Sequence, residues 1–170
     1  MKNLLLSILI TATAYSQCNS SNWQQYSPNL EYCDLENVNI AWEDVSGFNF
    51  FGANLMSSNL TGSDFSGANL TNAILVDSDL TWATFVDANL TNANLSGAGL
   101  GAADFSNANL SGANLYGVTL FETNFSNACI EGAYGFPTSG YIGQPIDEGC
   151  AHSTIPDWSL NPNGFEYNMA

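Results

Sequence analysis

Asp64-Phe65-Ser66-Gly67-Ala68-Asn69-Leu70-Thr71-Asn72-Ala73 contains two copies of one five-residue pattern. Each apolar centre (Phe65, Leu70) follows an Asp or Asn, has a small residue two positions back, and is followed two positions on by Gly or Asn. Stepping outward by five, the centre is apolar at all 21 positions from Leu30 to Ile130. The small residue recurs at Ala53, Ala68, Ala73, Ala88, Ala93, Ala108 and Ala113, and the Asn or Asp at Asn54, Asp79, Asn89, Asp104 and Asn114.

A period of five fits neither standard element. On an α-helix five residues turn through ~500°, which spirals the centres around the surface. On a straight strand an odd period throws successive centres onto opposite faces. The chain must therefore turn a corner in every unit. Gly or Asn at Gly47, Gly52, Gly62, Gly67, Asn72, Asn92, Gly97, Asn107 and Gly112 suits corners that require positive φ. The number of corners per coil follows from a longer period. Phe65, Phe85, Phe105 and Phe125 are 20 apart, as are Asn49, Asn69, Asn89 and Asn109, so four units make one coil. The expectation is an all-β solenoid of about five four-sided coils, ~25 Å long at the spacing of paired strands.

The quoted run, and likewise Ala88-Asn89-Leu90-Thr91-Asn92-Ala93-Asn94-Leu95-Ser96-Gly97-Ala98, resembles the A(D/N)LXX signature of pentapeptide repeat proteins. The resemblance covers about residues 28–135. It implies that family's right-handed quadrilateral β-helix, with the centre and minus-two side chains inward and the rest outward. The first coil departs from the pattern, with Val38, Glu43 and Phe48 at minus-two positions. An inward Glu43 cannot stay unpaired, which predicts an opened or distorted first coil.

Four segments are expected: a leader over 1–16, an N-terminal cap over 17–28, the β-helix over 29–132 and an irregular C-terminal cap and tail over 133–170. Lys2, a largely apolar run from Leu4 to Ala14, and small residues at Ala14 and Ser16 have the order of a secretory signal peptide cleaved near Ser16. A lipoprotein leader with Cys18 as the lipidated residue fits less well, because Gln17 stands where a small residue belongs. Coil ends expose unpaired backbone. Trp23 and Tyr26 are placed to cover the front, and Tyr141, Ile142, Trp158, Phe165 and Tyr167 the back, with 165–169 alternating like a strand. Cys18, Cys33, Cys129 and Cys150 suit an oxidising compartment and allow three pairings. Their positions at the two ends favour Cys18–Cys33 and Cys129–Cys150.

The charge excludes whole classes of function. With 16 Asp+Glu against one Lys+Arg, Lys2 itself, the chain cannot neutralise phosphates, so neither nucleic acid nor an anionic membrane is a partner. At 45% hydrophobic residues it is no disordered acidic tail. No membrane insertion is expected beyond the leader. No catalytic set is legible: an interior of Leu, Phe and Ala offers no cleft, and a single His leaves the many hydroxyls without a base. Asp44, Asp64 and Asp104 form a track before the Val and Phe centres, Asp77 and Asp79 bracket a corner, and Asp147-Glu148 lie in the cap. None has calcium-loop or zinc spacing, so no metal and no cofactor is expected. The repeat generates sequons such as Asn69-Leu70-Thr71, Asn89-Leu90-Thr91 and Asn94-Leu95-Ser96 automatically.

One surface feature is uneven. The two sides through Leu55 and Leu60 carry outward Trp42, Met56, Ile74, Val76, Trp82, Tyr116 and Phe121, while the others show mainly Tyr32, Phe51 and Val86. An apolar strip on a rod is a candidate docking face. The sequence therefore predicts a non-enzymatic, secreted or periplasmic acidic scaffold that binds another protein. Family resemblance supplies an alternative, the DNA mimicry by which some members that confer quinolone resistance occupy the DNA site of gyrase. A third reading is recognition of a polymer, glycan or ice by the Thr71/Thr91 and Thr61/Thr81 rows, which Ser111 and Gly101 interrupt.

Overall fold

A computed structural model of the protein describes residues 18–137, 139–146 and 150. The leader over 1–16, Asp147-Glu148, His152, Trp158, Phe165, Tyr167 and the run 165–169 lie outside the described residues.

Parallel bridges join residues 20 apart throughout the repeat, from Asn29↔Asn49 through Asn69↔Asn89 to Asn114↔Tyr134. Leu70 donates its N–H to the Asn89 carbonyl at 2.7 Å, and Asn89 donates to the Ala68 carbonyl at 2.9 Å. Each side of a coil is thus a very short parallel strand whose neighbours belong to the coils before and after. The 20-residue superperiod of the sequence is this ladder. At most corners the residue after the turn bonds back to the centre, as Ala73 N–H does to the Leu70 carbonyl at 3.0 Å. Every corner residue from Tyr32 to Gly132 has positive φ, the conformation required at the third residue of a type II turn.

The centres and minus-two residues fill the interior. Phe65, Leu70, Leu75, Leu80 and Phe85 are fully buried, as are Ala68, Ala73, Ala83 and Ala88. The Phe column stacks with ring centroids 5.0 Å apart for Phe65–Phe85, 4.6 Å for Phe85–Phe105 and 5.1 Å for Phe105–Phe125. Ring pairs left to themselves favour offset or edge-on packing; here the coil spacing sets the separation, because ~4.8 Å is also the distance between paired strands. Where the minus-two residue is Ser or Thr, its hydroxyl donates to the backbone of the coil before. Ser63 Oγ reaches the Ile40 carbonyl at 2.6 Å, Ser78 Oγ that of Leu55 at 2.7 Å, and Thr123 Oγ1 that of Leu100 at 2.7 Å.

The first coil corrects one expectation. Glu43 is exposed, yet the coil is neither opened nor distorted. Glu43 N–H bonds to the Ile40 carbonyl at 3.1 Å, and Asp64 N–H to the Glu43 carbonyl at 3.0 Å. No complete coil precedes it, so its carboxylate reaches water from an intact backbone.

Both ends are covered. Trp23, in a single 3-10 turn spanning Trp23–Gln25, is buried against the core, and Asn19 pairs with Asp34. At the other end Tyr141–Ile142 pairs in parallel with Thr123–Asn124, and Ile146 bridges to Cys129. Phe136 and Tyr141 stand edge-on to Phe125, at 5.1 and 5.9 Å, and close the Phe column. Disulfides join Cys18 to Cys33 and Cys129 to Cys150, the pairing favoured from their positions. No helix among the described residues is long and apolar enough to cross a membrane.

Candidate docking face

Four of the five backbone N–H groups in a typical unit bond to backbone carbonyls. The fifth, on the residue after the centre, turns outward at the corner. Its acceptor is the side chain of the Asn or Asp two residues earlier: Asn69 Oδ1 takes the Thr71 N–H at 3.2 Å, Asp64 Oδ1 that of Ser66 at 2.9 Å, and Asp104 Oδ1 that of Ser106 at 2.9 Å. This Asx geometry closes the corner and explains why Asn and Asp dominate the minus-one position. Thr or Ser after the centre often adds a second bond, as Thr71 Oγ1 does to Asn69 Oδ1 at 2.7 Å. Asp44, Asp64 and Asp104 thus have a structural task, and so do the sequon residues Asn69, Asn89 and Asn94.

The Thr81 hydroxyl holds the Asp79 carboxyl below its usual range; the Thr81 N–H and the Thr61 hydroxyl add to this, and burial opposes it. The Ser46 hydroxyl and N–H lower Asp44 in the same way. A carboxyl depressed by folding contributes stability that is fully present above its unfolded value of about 3.9 and is lost as pH falls through the folded value. Asp79→Asn keeps the acceptor and removes the titration. Denaturant titrations between about pH 5 and pH 2 are expected to show a shallower acid loss for this variant than for the parent.

The sequence-predicted strip divides in the structure. Trp42 (69% exposed) and Trp82 (58%) come together, their rings 6.1 Å apart although the residues lie two coils apart. Gly62, the corner between them, makes this possible: a Cβ there would collide with the Trp42 indole. Both tryptophans occupy corners, with φ of 65° and 60°. A left-handed conformation costs a side-chain-bearing residue roughly 1–2 kcal/mol, and Asn fills the same place more comfortably at Asn72, Asn92 and Asn107. Met56 and Val76 are half-buried neighbours in one column, where Ser57 N–H bonds to the Val76 carbonyl at 2.9 Å. Ile74 stands beside that column, while Tyr116 and Phe121 are exposed nearer the C-terminal end.

Two features escaped the sequence reading. Tyr134, 57% exposed, continues the Ile74 column and was legible as one more minus-one position. The Gly62 gap depends on a residue 20 positions away, and no local pattern reveals it. The Trp corner also borders the side that carries Asp44 and Asp64, which pair in register. Among the described residues, the cluster of cysteine and carboxylate groups close enough to share an ion is Cys129, Glu131 and Cys150, whose two sulfurs are bonded to each other.

Ile74 breaks the corner rule, because it offers no oxygen to the N–H of Val76. Ile74→Asn supplies one and joins the amide-bearing column of Asn54 and Asn94. Such a bond contributes about 1 kcal/mol, and thermal unfolding is expected to shift upward by a few degrees.

The family pattern described as pentapeptide repeats matches in 8 copies, over residues 33–72, 49–85, 63–101 and 98–134. No curated protein sequence matches the chain. Among solved structures, trypsin-treated QnrB1, a plasmid-mediated fluoroquinolone resistance protein, superposes with a TM-score of 0.54 at 18% identity, over 67% of this chain and 54% of that one. The chain therefore spans about half the length of that protein, and the likeness is one of fold. Rfr23, a pentapeptide repeat protein of the cyanobacterium Cyanothece 51142, matches at 29% identity with a TM-score of 0.38, over 73% of this chain and 94% of that one. A pentapeptide repeat protein from Nostoc PCC 7120 matches at 25% identity with a TM-score of 0.33, over 72% and 89%. With the repeat pattern covering well over half its length, the chain belongs to the pentapeptide repeat family, and its fold is that family's right-handed quadrilateral β-helix.

Proposed function

We propose that the protein is a rigid acidic scaffold of an extracytoplasmic compartment, without catalytic activity, that works by binding another protein through the face edged by Trp42 and Trp82. The observation that carries this reading is the pair of exposed indoles at corners where tryptophan is the costlier choice. Strain held at a surface position without benefit to the core is a mark of function. Exposed aromatic residues on a rigid support suit protein contact, since their ordering costs little side-chain entropy. Two disulfides support an oxidising compartment. Affinity capture from envelope extract tests the reading. A partner is expected on the parent protein and on a Tyr32→Asn control, and lost from Trp42→Asn/Trp82→Asn. The same proteins retained by all three would contradict it.

DNA mimicry is the second reading, favoured by the formal charge of −15 on a rod-shaped β-helix. It requires the acidic surface as a whole, so it predicts inhibition of gyrase supercoiling by the parent and by Trp42→Asn/Trp82→Asn alike. Absence of inhibition removes it.

A further inference from the structure

Resting on the proposed docking face, the chemistry of its occupant can be stated more closely. The Trp42–Gly62–Trp82 corner separates two unlike columns. On one flank, two residues beyond Trp42 and Gly62, stand Asp44 and Asp64, paired across adjacent coils. On the other, three residues before Trp82, stands Asp79. Glu43, next to Trp42, is exposed, with no complete coil stacked before it. Among the described residues there is no Lys, Arg or His for these carboxylates to face. Each Asp uses one oxygen on a corner N–H, Ser46 at 3.0 Å, Ser66 at 2.9 Å and Thr81 at 3.0 Å, which fixes how the carboxylate is oriented.

We infer that this corner docks a basic polypeptide segment, its Arg or Lys stems lying on the Trp42 and Trp82 rings and their charges facing Asp44, Asp64 and Asp79. Indole faces attract cations through their quadrupole, most strongly with guanidinium, and a charge-complementary rim selects the partner and steers its approach. A second copy of this chain is disfavoured as occupant, since two such rims repel. A neutral glycan would make no use of the carboxylates' negative charge, which the corner cap does not need, since Asn69 caps in the same way. The site is one corner of the rod and not its whole charge, which separates it from DNA mimicry.

Binding of a fluorescein-labelled octapeptide of alternating Arg and Gly, at about 0.15 M salt to screen diffuse attraction, tests the inference on the full chain. The parent is expected to bind it and to ignore the peptide with Glu in place of Arg. Trp42→Asn/Trp82→Asn is expected to weaken binding about tenfold. Gly62→Ala lifts the Trp42 ring while keeping a corner of the kind Ala102 already forms, and is expected to weaken it about threefold. Asp44→Asn/Asp64→Asn is expected to weaken it as well, and Asp87→Asn, at a different corner, to leave it unchanged. Equal binding by all variants, competition by cellohexaose, or self-association of the parent that Trp42→Asn abolishes would each overturn the inference. Partner capture that survives while the Arg peptide fails refutes only this chemistry; capture that is indifferent to the tryptophans refutes the docking face itself.

Discussion

Phe85→Ala is expected to destabilise the rod by about 3–5 kcal/mol, the range for removing a fully buried aromatic ring. Phe85 sits in mid-column, 5.0 Å from Phe65 and 4.6 Å from Phe105 with nearly parallel rings, and is completely buried. The coils cannot close over the gap, because their spacing is set by backbone ladders on four sides. Urea unfolding followed by circular dichroism reads the loss. The same change at Ile130, which is only partly buried near the C-terminal cap, should cost clearly less. Equal losses at both places would mean that the column is not a continuous core.

Ala88→Glu should cost as much, for an electrostatic reason. Ala88 is fully buried, with Ala68 and Ala108 in the corresponding positions of the adjacent coils. A carboxylate there has no water, and the described residues include no Lys, Arg or His to pair with it. An unpaired buried charge costs about 3–5 kcal/mol. Burial raises the pKa of such a group, so the variant should regain stability as pH falls from about 7 towards 4, where the group is neutral in both states. Ala88→Leu separates volume from charge: it overpacks the same place, at about 1–3 kcal/mol, without pH dependence across that range. Glu43 is the natural control. It has the same position in the repeat and is tolerated because its side chain is exposed in the first coil.

Much of this architecture is written in the sequence because each rule acts at a fixed short spacing. The apolar centre at every fifth residue and the Phe recurrence every 20 specify the coil and its four sides. The corner residues also follow, since a unit that turns each time needs positive φ at one place. What could not be read depends on pairs of residues a coil apart or on the ends of the stack. Nothing local shows that Gly62 clears a path for the Trp42 ring, or that Ser63 bonds to the Ile40 carbonyl. Glu43 was misjudged for the same reason: its surroundings are set by the missing coil before it, not by its own unit. The Asp and Asn at minus-one positions were read as outward polar residues, whereas they cap the corner N–H groups. That function needs the one donor the ladders leave over, which only a full accounting of the backbone reveals.

The apolar strip was legible as a composition bias but not as a site. Of the seven strip residues, Trp42 and Trp82 bring their rings together, while Met56 and Val76 are neighbours in a separate column. Ile74→Asn probes the remainder. If it raises stability, as the empty corner predicts, then isoleucine at that place is maintained at some cost to the fold.

The proposed scaffold role requires that one edge of the rod makes the functional contact. Photo-crosslinking in the source cell tests it directly, with a benzophenone amino acid placed in turn at 42, 82, 32 and 51. Covalent capture of one polypeptide is expected from positions 42 and 82 and none from 32 and 51. Capture from 32 and 51 with silence at 42 and 82, or equal capture from all four, would contradict it.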